Sequence, residues 1–179
     1  MPGGDAAPGA DAPGRIAQAW AALAEVPDPE VPALSVCDLG LVRELAEADD
    51  GHLVVTLTPT YSGCPATEVI EASVLAALRM AGLGPARAVT RRSPAWTTDW
   101  ISAEGRRKLL DYGIAPPGPT AADTGGAVPI RLYRRTIGPA CPRCASGRTE
   151  RLSAFGSTAC KSLHRCLDCR EPFEHFKPI

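Results

Sequence analysis

Four cysteines set the tightest limit on how this chain can fold. Cys141-Pro142-Arg143-Cys144 and Cys166-Leu167-Asp168-Cys169 form two CxxC pairs with 21 residues between them. Each pair lies near a turn, and two such turns brought together offer four sulfurs to one ion in a tetrahedron. The interval is just beyond the usual one and accommodates two strands of a ribbon. A unit of about 40 residues buries too little apolar surface to fold unaided, so the ion is expected to supply the missing stability. Zn²⁺ is the first expectation, because all four ligands are protein thiolates; iron on the same sulfurs is the alternative. Four reduced, buried thiols without metal is the plainer reading, and the paired spacing argues against it.

The chain holds seven cysteines in all. Met1–Gly14 has two Asp, no Lys or Arg, and no apolar core segment, so a secretory signal is not expected. A cytoplasmic location, metal binding or thiol chemistry then fit the cysteines better than a disulfide framework. No apolar run approaches the roughly 20 residues that span a bilayer. Charge is divided unevenly. Residues 1–130 carry 9 basic and 16 acidic side chains, a net of −7, whereas residues 131–179 carry 10 basic and 4 acidic, a net of +6. Two electrostatically distinct parts are expected. The basic part fits a nucleic acid or an acidic protein partner, although aromatic residues make up only 5% of the chain and stacking platforms are scarce, so nucleic acid ranks last.

With 17 Gly and 18 Pro, many turns are expected. Residues 1–14 read as a disordered tail, 15–114 as an α+β domain, 115–129 as a Pro/Gly-rich linker, and 130–179 as the ribbon module. In the first domain, Ile16, Ala19, Trp20 and Leu23 recur at helical spacing. The helix should stop before Val26-Pro27. Asp49-Asp50-Gly51 between two strand-like segments signals a hairpin. A helix is predicted over Pro65–Ala81, with Gly82 as its stop, then a weak strand at Ala86–Arg92 and a short helix over Ser102–Tyr112. Ile130–Thr136 reads as a strand leading into the ribbon. Helices on one face of an antiparallel hairpin make a two-layer α+β fold.

Cys64 is the second chemical signal. With Pro65 at the first helical position, Cys64 falls at the N-cap, where unpaired backbone N–H groups favour a thiolate. An ordinary capping loop with a small, half-buried Cys is the competing reading. No His or Asp forms an evident triad with it, so hydrolytic catalysis has no support. Asp28, Glu30 and Asp38 lie in a proline-stiffened loop. They read as solvated loop acids, or as acceptors for a helix N-terminus, or as ligands of a hard metal. Cys160 is taken as a core residue, with a fifth thiol near the metal or a substitute ligand as alternatives. His164 and His175 are expected at the surface, Cys37 in the core. Arg91-Arg92 and Arg134-Arg135 read as solvated strand faces, with Tyr133 the one aromatic close by. Trp96 and Trp100 are expected to pack on the core.

Four stretches carry a family resemblance: Val26-Pro-Asp-Pro-Glu-Val-Pro32, Ser35-Val-Cys-Asp-Leu-Gly-Leu-Val42, Thr58-Pro-Thr-Tyr-Ser-Gly-Cys-Pro-Ala-Thr67 and Phe155-Gly-Ser-Thr-Ala-Cys-Lys161. From about Arg15 to Lys177 the chain resembles the PaaD (PaaJ) family, accessory subunits of the phenylacetyl-CoA ring epoxidase system. Its first part is similar to SufT-like iron–sulfur assembly factors and its last part to zinc ribbons. The resemblance implies that Cys64 is the motif cysteine, with Asp28, Glu30 and Asp38 in the loops around it. It implies a role in phenylacetate catabolism, assisting assembly or delivery of an iron–sulfur or iron centre without turning over substrate. Its partners would be the oxygenase or reductase components of the epoxidase. One thiol cannot ligate a cluster alone, so a homodimer or a borrowed ligand is expected. A structural subunit of the oxygenase complex without metal transfer is the second reading, and a nucleic-acid-binding ribbon or a stand-alone thiol enzyme the weakest.

Overall fold

The computed structural model describes residues 12–61, 66–118 and 138–179. The expected strand at Ile130–Thr136, with Tyr133, Arg134 and Arg135, and most of the expected linker lie outside them. Helix α1 (Ala12–Ala24) buries Ala19 and Leu23 completely and lays Ile16 and Trp20 against the same core. The proline-rich segment after it folds back on itself. Asp28 N–H donates to Leu34 O at 2.8 Å and Val36 N–H to Val26 O at 2.9 Å.

Strands β1 (Val42–Glu47) and β2 (Leu53–Leu57) form the expected antiparallel hairpin, with Leu45 opposite Val55. Gly51 takes φ +77° in the turn, a conformation open to glycine at little cost. Leu53, Val55 and Leu57 point into the core. The next strand, β3 (Ala86–Thr90), runs parallel to β2, with Val55 opposite Ala88. A parallel neighbour requires a crossover. Helix α2 (Thr67–Met80) provides it and buries Ile70, Val74 and Leu78 at four-residue spacing. Helices α1 and α2 pack together, which makes a helical layer over a three-stranded sheet of order β1-β2-β3.

A 3-10 turn at Thr98–Trp100 leads to α3 (Ala103–Tyr112). Ser102 caps α3 by accepting the Gly105 N–H at 2.8 Å, and Gly113 ends it at φ +89°, as serine and glycine commonly do at helix ends. The chain then enters β4 (Ile114–Ala115). This short strand pairs with the last of three further strands, β5 (Thr149–Ser153), β6 (Lys161–Cys166) and β7 (Pro172–Phe176), in a sheet of order β4-β7-β6-β5. The architecture is the expected α+β domain plus C-terminal ribbon.

The ribbon is built into the first domain's core. Phe176 is 1% exposed and, with Cys160, packs in the cluster that holds Leu23, Leu34, Leu53 and Val74. Its ring centroid lies 6.1 Å from that of Trp96, whose Nε1 donates to Leu39 O at 2.9 Å. Nearby, Ile179 O accepts from Thr97 Oγ1 at 2.8 Å and from Thr98 N at 3.1 Å. Trp96 is thus the expected core residue, while Trp100 is half-buried beneath the Arg43 guanidinium, 3.6 Å from its ring centroid. Gly40, at φ +66°, tucks so closely beneath Trp100 that a Cβ would lie 2.6 Å from the Trp100 carbonyl oxygen.

Truncating Phe176 therefore opens the seam between ribbon and domain. The Phe176→Ala variant is expected to lose about 3–5 kcal/mol of stability, read from the midpoint of urea unfolding against the wild type.

Candidate functional site

Two turns bring four sulfurs together. Cys141 and Cys144 lie at the turn before β5, Cys166 is the last residue of β6, and Cys169 lies on the turn between β6 and β7. All four Sγ atoms fall within 4.8 Å of one another, with Cys141–Cys169 at 3.7 Å and Cys144–Cys166 at 3.5 Å. Tetrahedral Zn²⁺ with bonds of about 2.3 Å spaces its sulfurs about 3.8 Å apart, so the quartet fits that ion. The two turns repeat one backbone device. The residue after the second cysteine of each pair is left-handed, Ala145 at φ +59° and Arg170 at φ +68°. Such φ values are uncommon outside glycine, and they curl the backbone so that its amides face the sulfurs. Foremost the Cys169 amide, and then that of Asp168, overcome desolvation and hold the Cys166 thiol down to about 6. The Glu171 amide favours the Cys169 thiolate, yet desolvation and hydrogen bonding with Cys166, Cys144 and Cys141 push that thiol up to about 12. Four sulfurs this close do not all ionise without a cation among them. Ala115 and Phe173 close the apolar side of the centre.

The acidic loop is a different environment from the one its composition suggests. Asp28 and Asp38 are buried, at 6% and 8% exposure, and only Glu30 is half-exposed; the solvated-acid reading does not hold for the two aspartates. The proline-rich turn folds inward, and each buried carboxylate gathers hydrogen bonds that replace water. Asp28 Oδ1 accepts the Val31 and Glu30 amides at 2.8 and 3.0 Å. Burial raises its pKa against those bonds. Burial also raises that of Glu30, and the Asp28 charge adds to the effect. Asp38 is committed elsewhere. Its Oδ2 accepts from Ser35 N, Ser35 Oγ and Lys108 Nζ, the last at 2.7 Å, and its Oδ1 from Ser102 Oγ at 3.2 Å. Although desolvation opposes it, the Lys108 and Ser35 hydrogen bonds hold the Asp38 carboxyl below the usual carboxylate range.

Asp28 and Glu30 line a cavity with about 30 Å³ of free space, room for about one or two waters. Its floor is apolar, from Leu41, Leu57, Ile70 and Phe176. Asp38 does not reach it. Thr60 and Thr67, on either side of residues 62–65, both line it. Cys64 and Pro65 themselves lie outside the described residues. Helix α2 starts at Thr67, with Ala66 as its N-cap at φ −80° and ψ −7°. The N-cap is therefore Ala66 and not the expected Cys64.

Cys160 is the core residue it was expected to be, with a second role at the cavity. It is buried, as expected of a core thiol, but it also lines the cavity, with Sγ 4.0 Å from Glu30 Oε2 and 3.0 Å from Thr158 Oγ1. The signal available was its place in Phe155–Lys161, one of the four stretches that carry the family resemblance. Lys161 is also buried, at 3% exposure, and pairs with Glu174 at 3.0 Å. The histidines also depart from expectation. His164 is 5% exposed and His175 half-buried, because cross-strand pairing stacks His164 on Phe173 and sets His175 edge-on to it. Burial, and then the neighbouring His164, pushes His175 down to about 4. Cys37 packs half-buried against the core, and burial raises its thiol to about 11. Arg91 and Arg92 are exposed, as expected.

Comparison with known proteins divides the chain at the same place as its chemistry. Residues 16–89 match the model of an iron–sulfur cluster assembly protein family, and residues 127–177 that of the PaaD zinc beta ribbon domain. Over 168 residues the chain is 44% identical to a protein of Escherichia coli (strain K12) assigned to the 1,2-phenylacetyl-CoA epoxidase as one of its subunits, covering 94% of this chain and 96% of that one. The chain belongs to the PaaD family. Its first domain is also 33% identical over 88 residues to an Fe-S protein maturation auxiliary factor of Porphyromonas gingivalis (strain ATCC BAA-308 / W83), covering 49% of this chain and 83% of that one. The crystal structure of a DUF59 domain from Bacillus anthracis superposes with a TM-score of 0.50 at 24% identity, over 54% of this chain and 92% of that one, and shares its fold. No helix among the described residues is long and apolar enough to cross a membrane. In this PaaD chain the assembly-type domain carries the acidic cavity and the ribbon carries the four-sulfur centre.

The Asp38 network gives a stability prediction with a definite pH window. Its folded pKa is lowered, so its contribution is complete above the usual carboxylate value of about 4 and is lost as pH falls through the folded value. Asp38→Asn is expected to cost about 1–2 kcal/mol at neutral pH. Thermal unfolding of both proteins from pH 7 to pH 3 should show the gap constant down to about pH 4 and closing below it. A gap that widens in acid would contradict the assignment.

Proposed function

We propose that this protein is a maturation factor of the phenylacetyl-CoA epoxidase, assisting assembly or delivery of an iron–sulfur or iron centre to the oxygenase or reductase component. The observation that carries the reading is the cavity in the assembly-type domain. It is walled by Asp28 and Glu30 and by Thr60 and Thr67, which lie one on each side in sequence of the segment that holds Cys64. The family models and the Porphyromonas relative support iron–sulfur chemistry for this domain, and the Escherichia relative supports an epoxidase partner.

Each part has its own task in this reading. Cys141, Cys144, Cys166 and Cys169 hold one Zn²⁺ as a permanent clip, since four thiolates leave no open position for chemistry. The clip keeps the β6–β7 pair in register, and with it Phe176 and Cys160 at the domain seam. Cys64 is the thiol that takes up iron or a cluster in passing, as cargo, and Asp28 and Glu30 supply the negative charge that favours a cation beside it. The protein itself turns over no substrate. Release needs weak, incomplete ligation, so a transfer site differs from the closed quartet in having few sulfurs.

The experiment is complementation of a strain that lacks the protein. Cys64→Ser is expected to remain folded and zinc-loaded while epoxidase activity falls at least about tenfold. Full activity with Cys64→Ser, together with stoichiometric co-purification with the oxygenase, would replace this reading with that of a structural subunit.

A further inference from the structure

The sheet of the first domain has a second face. Leu53, Val55 and Leu57 of β2 point towards the helices, so Val54 and Thr56 point away from them. The register sets Ala46, Val54 and Arg87 in one row across that outer face and Glu44, Thr56 and Val89 in the next. Helices α1 and α2 meet the sheet from the other side. Val89 is accordingly 44% exposed, with Ala46 and Arg87 exposed as well. Arg91 follows at the same two-residue period. There a groove with about 210 Å³ of free space opens between Arg43, Glu44, Thr58, Arg91, Pro94 and Trp100.

The charge of this face runs against that of its domain. Residues 1–130 carry a net of −7, yet three guanidiniums gather here. Other cations of the domain are committed to the fold: Arg15 to Glu47 and Leu83 O, Arg106 to Thr98 O and Pro117 O, Lys108 to Asp38. Arg43, Arg87 and Arg91 are not tied in that way. Arg43 lies over the Trp100 ring, 3.6 Å from its centroid, and among the described residues no carboxylate pairs with it. A stacked guanidinium keeps its N–H edge available to a carboxylate. Arg87 is 3.5 Å from Asp50 and Arg91 is 3.6 Å from Glu44, with all four side chains about half exposed. Ion pairs this long and this accessible to water contribute little and exchange readily.

We propose that the outer face of the β1-β2-β3 sheet docks an acidic segment of another component of the epoxidase. Carboxylates of that segment replace Asp50 on Arg87 and Glu44 on Arg91 and reach Arg43 in the groove, while an apolar side chain covers Val54 and Val89. Arginines around a small apolar centre are enriched at protein interfaces. Nucleic acid fits this face less well. The half-buried Trp100 ring is covered by Arg43 and leaves no stacking platform for a base. Three guanidiniums offset by two acids are also too few to hold a polyanionic backbone at physiological salt. The inference rests on the proposed function for the choice of partner alone and requires no metal transfer.

The test measures binding of the full-length, zinc-loaded protein to the purified oxygenase and reductase components of the epoxidase, at low and at physiological salt. The wild type is expected to bind one of them, and to bind it more weakly as salt is added. Arg87→Glu and Arg91→Glu should each weaken that binding at least about fivefold. Arg79→Glu, on helix α2 across the sheet, makes the same change in net charge and should leave binding as it is. All three arginines are exposed, so the urea midpoints of the variants should match that of the wild type. Full-affinity binding by both sheet variants, or an equal loss with Arg79→Glu, would overturn the docking surface and leave the epoxidase partner standing. No binding by the wild type to either component would remove the partner and the surface together. Binding to a mixed-sequence RNA or duplex DNA that both sheet variants lose, with the epoxidase components bound as before, would overturn the proposal in favour of nucleic acid.

Discussion

The contact between Phe176 and Trp96 is the joint on which this molecule depends. Phe176 ends the last ribbon strand and sits fully inside the core of the assembly-type domain, against a tryptophan that is itself tied to Leu39 O. A ribbon of this size has almost no core of its own. The small cluster it owns contains Ala115 and Phe173 beside two of the sulfurs. Its strand register comes from the four-sulfur centre, and its position comes from what it buries in its neighbour. The two domains that the family models separate are therefore one packed body at this seam.

That joint explains the electrostatics of the cavity. Seating Phe176 brings the start of β6 against the proline-rich loop, so Cys160 and Lys161 come to rest beside Asp28 and Glu30. Desolvation there costs each group. Backbone amides at Asp28 and the Glu174 pairing of Lys161 recover part of it. Asp38, ten residues from Asp28 in the same motif-rich stretch, instead forms a closed network with Ser35, Ser102 and Lys108. Asp28 and Glu30 line the cavity while the third acid is taken up by its network, so acids of one loop sit in two different environments.

Much of this was legible in the residues. The CxxC spacing specified the sulfur quartet, because short-range turns and a rigid ion leave few alternatives. The hairpin at Asp49-Asp50-Gly51 and the caps at Ser102 and Gly113 are local devices and read directly. What stayed hidden is long-range. The burial of Asp28 and Asp38 depends on how the proline-rich turn packs beneath α3 and the ribbon, and no periodicity encodes that. The histidines looked like surface residues because ribbon strands this short show no clear alternation; only cross-strand pairing with Phe173 reveals their burial. Cys160 lies 130 residues from Glu30 in sequence, and its place in the cavity follows from the seating of Phe176 alone.

Hydrogen–deuterium exchange of the full-length protein, before and after the zinc is stripped by a chelator, tests this joint most directly. If the metal clip holds the seam, removal of zinc should speed exchange in β6 and β7 and also in residues 28–36 and 96–101 of the first domain. Faster exchange confined to residues 138–179, with the acidic loop and the Trp96 segment as protected as before, would contradict the account.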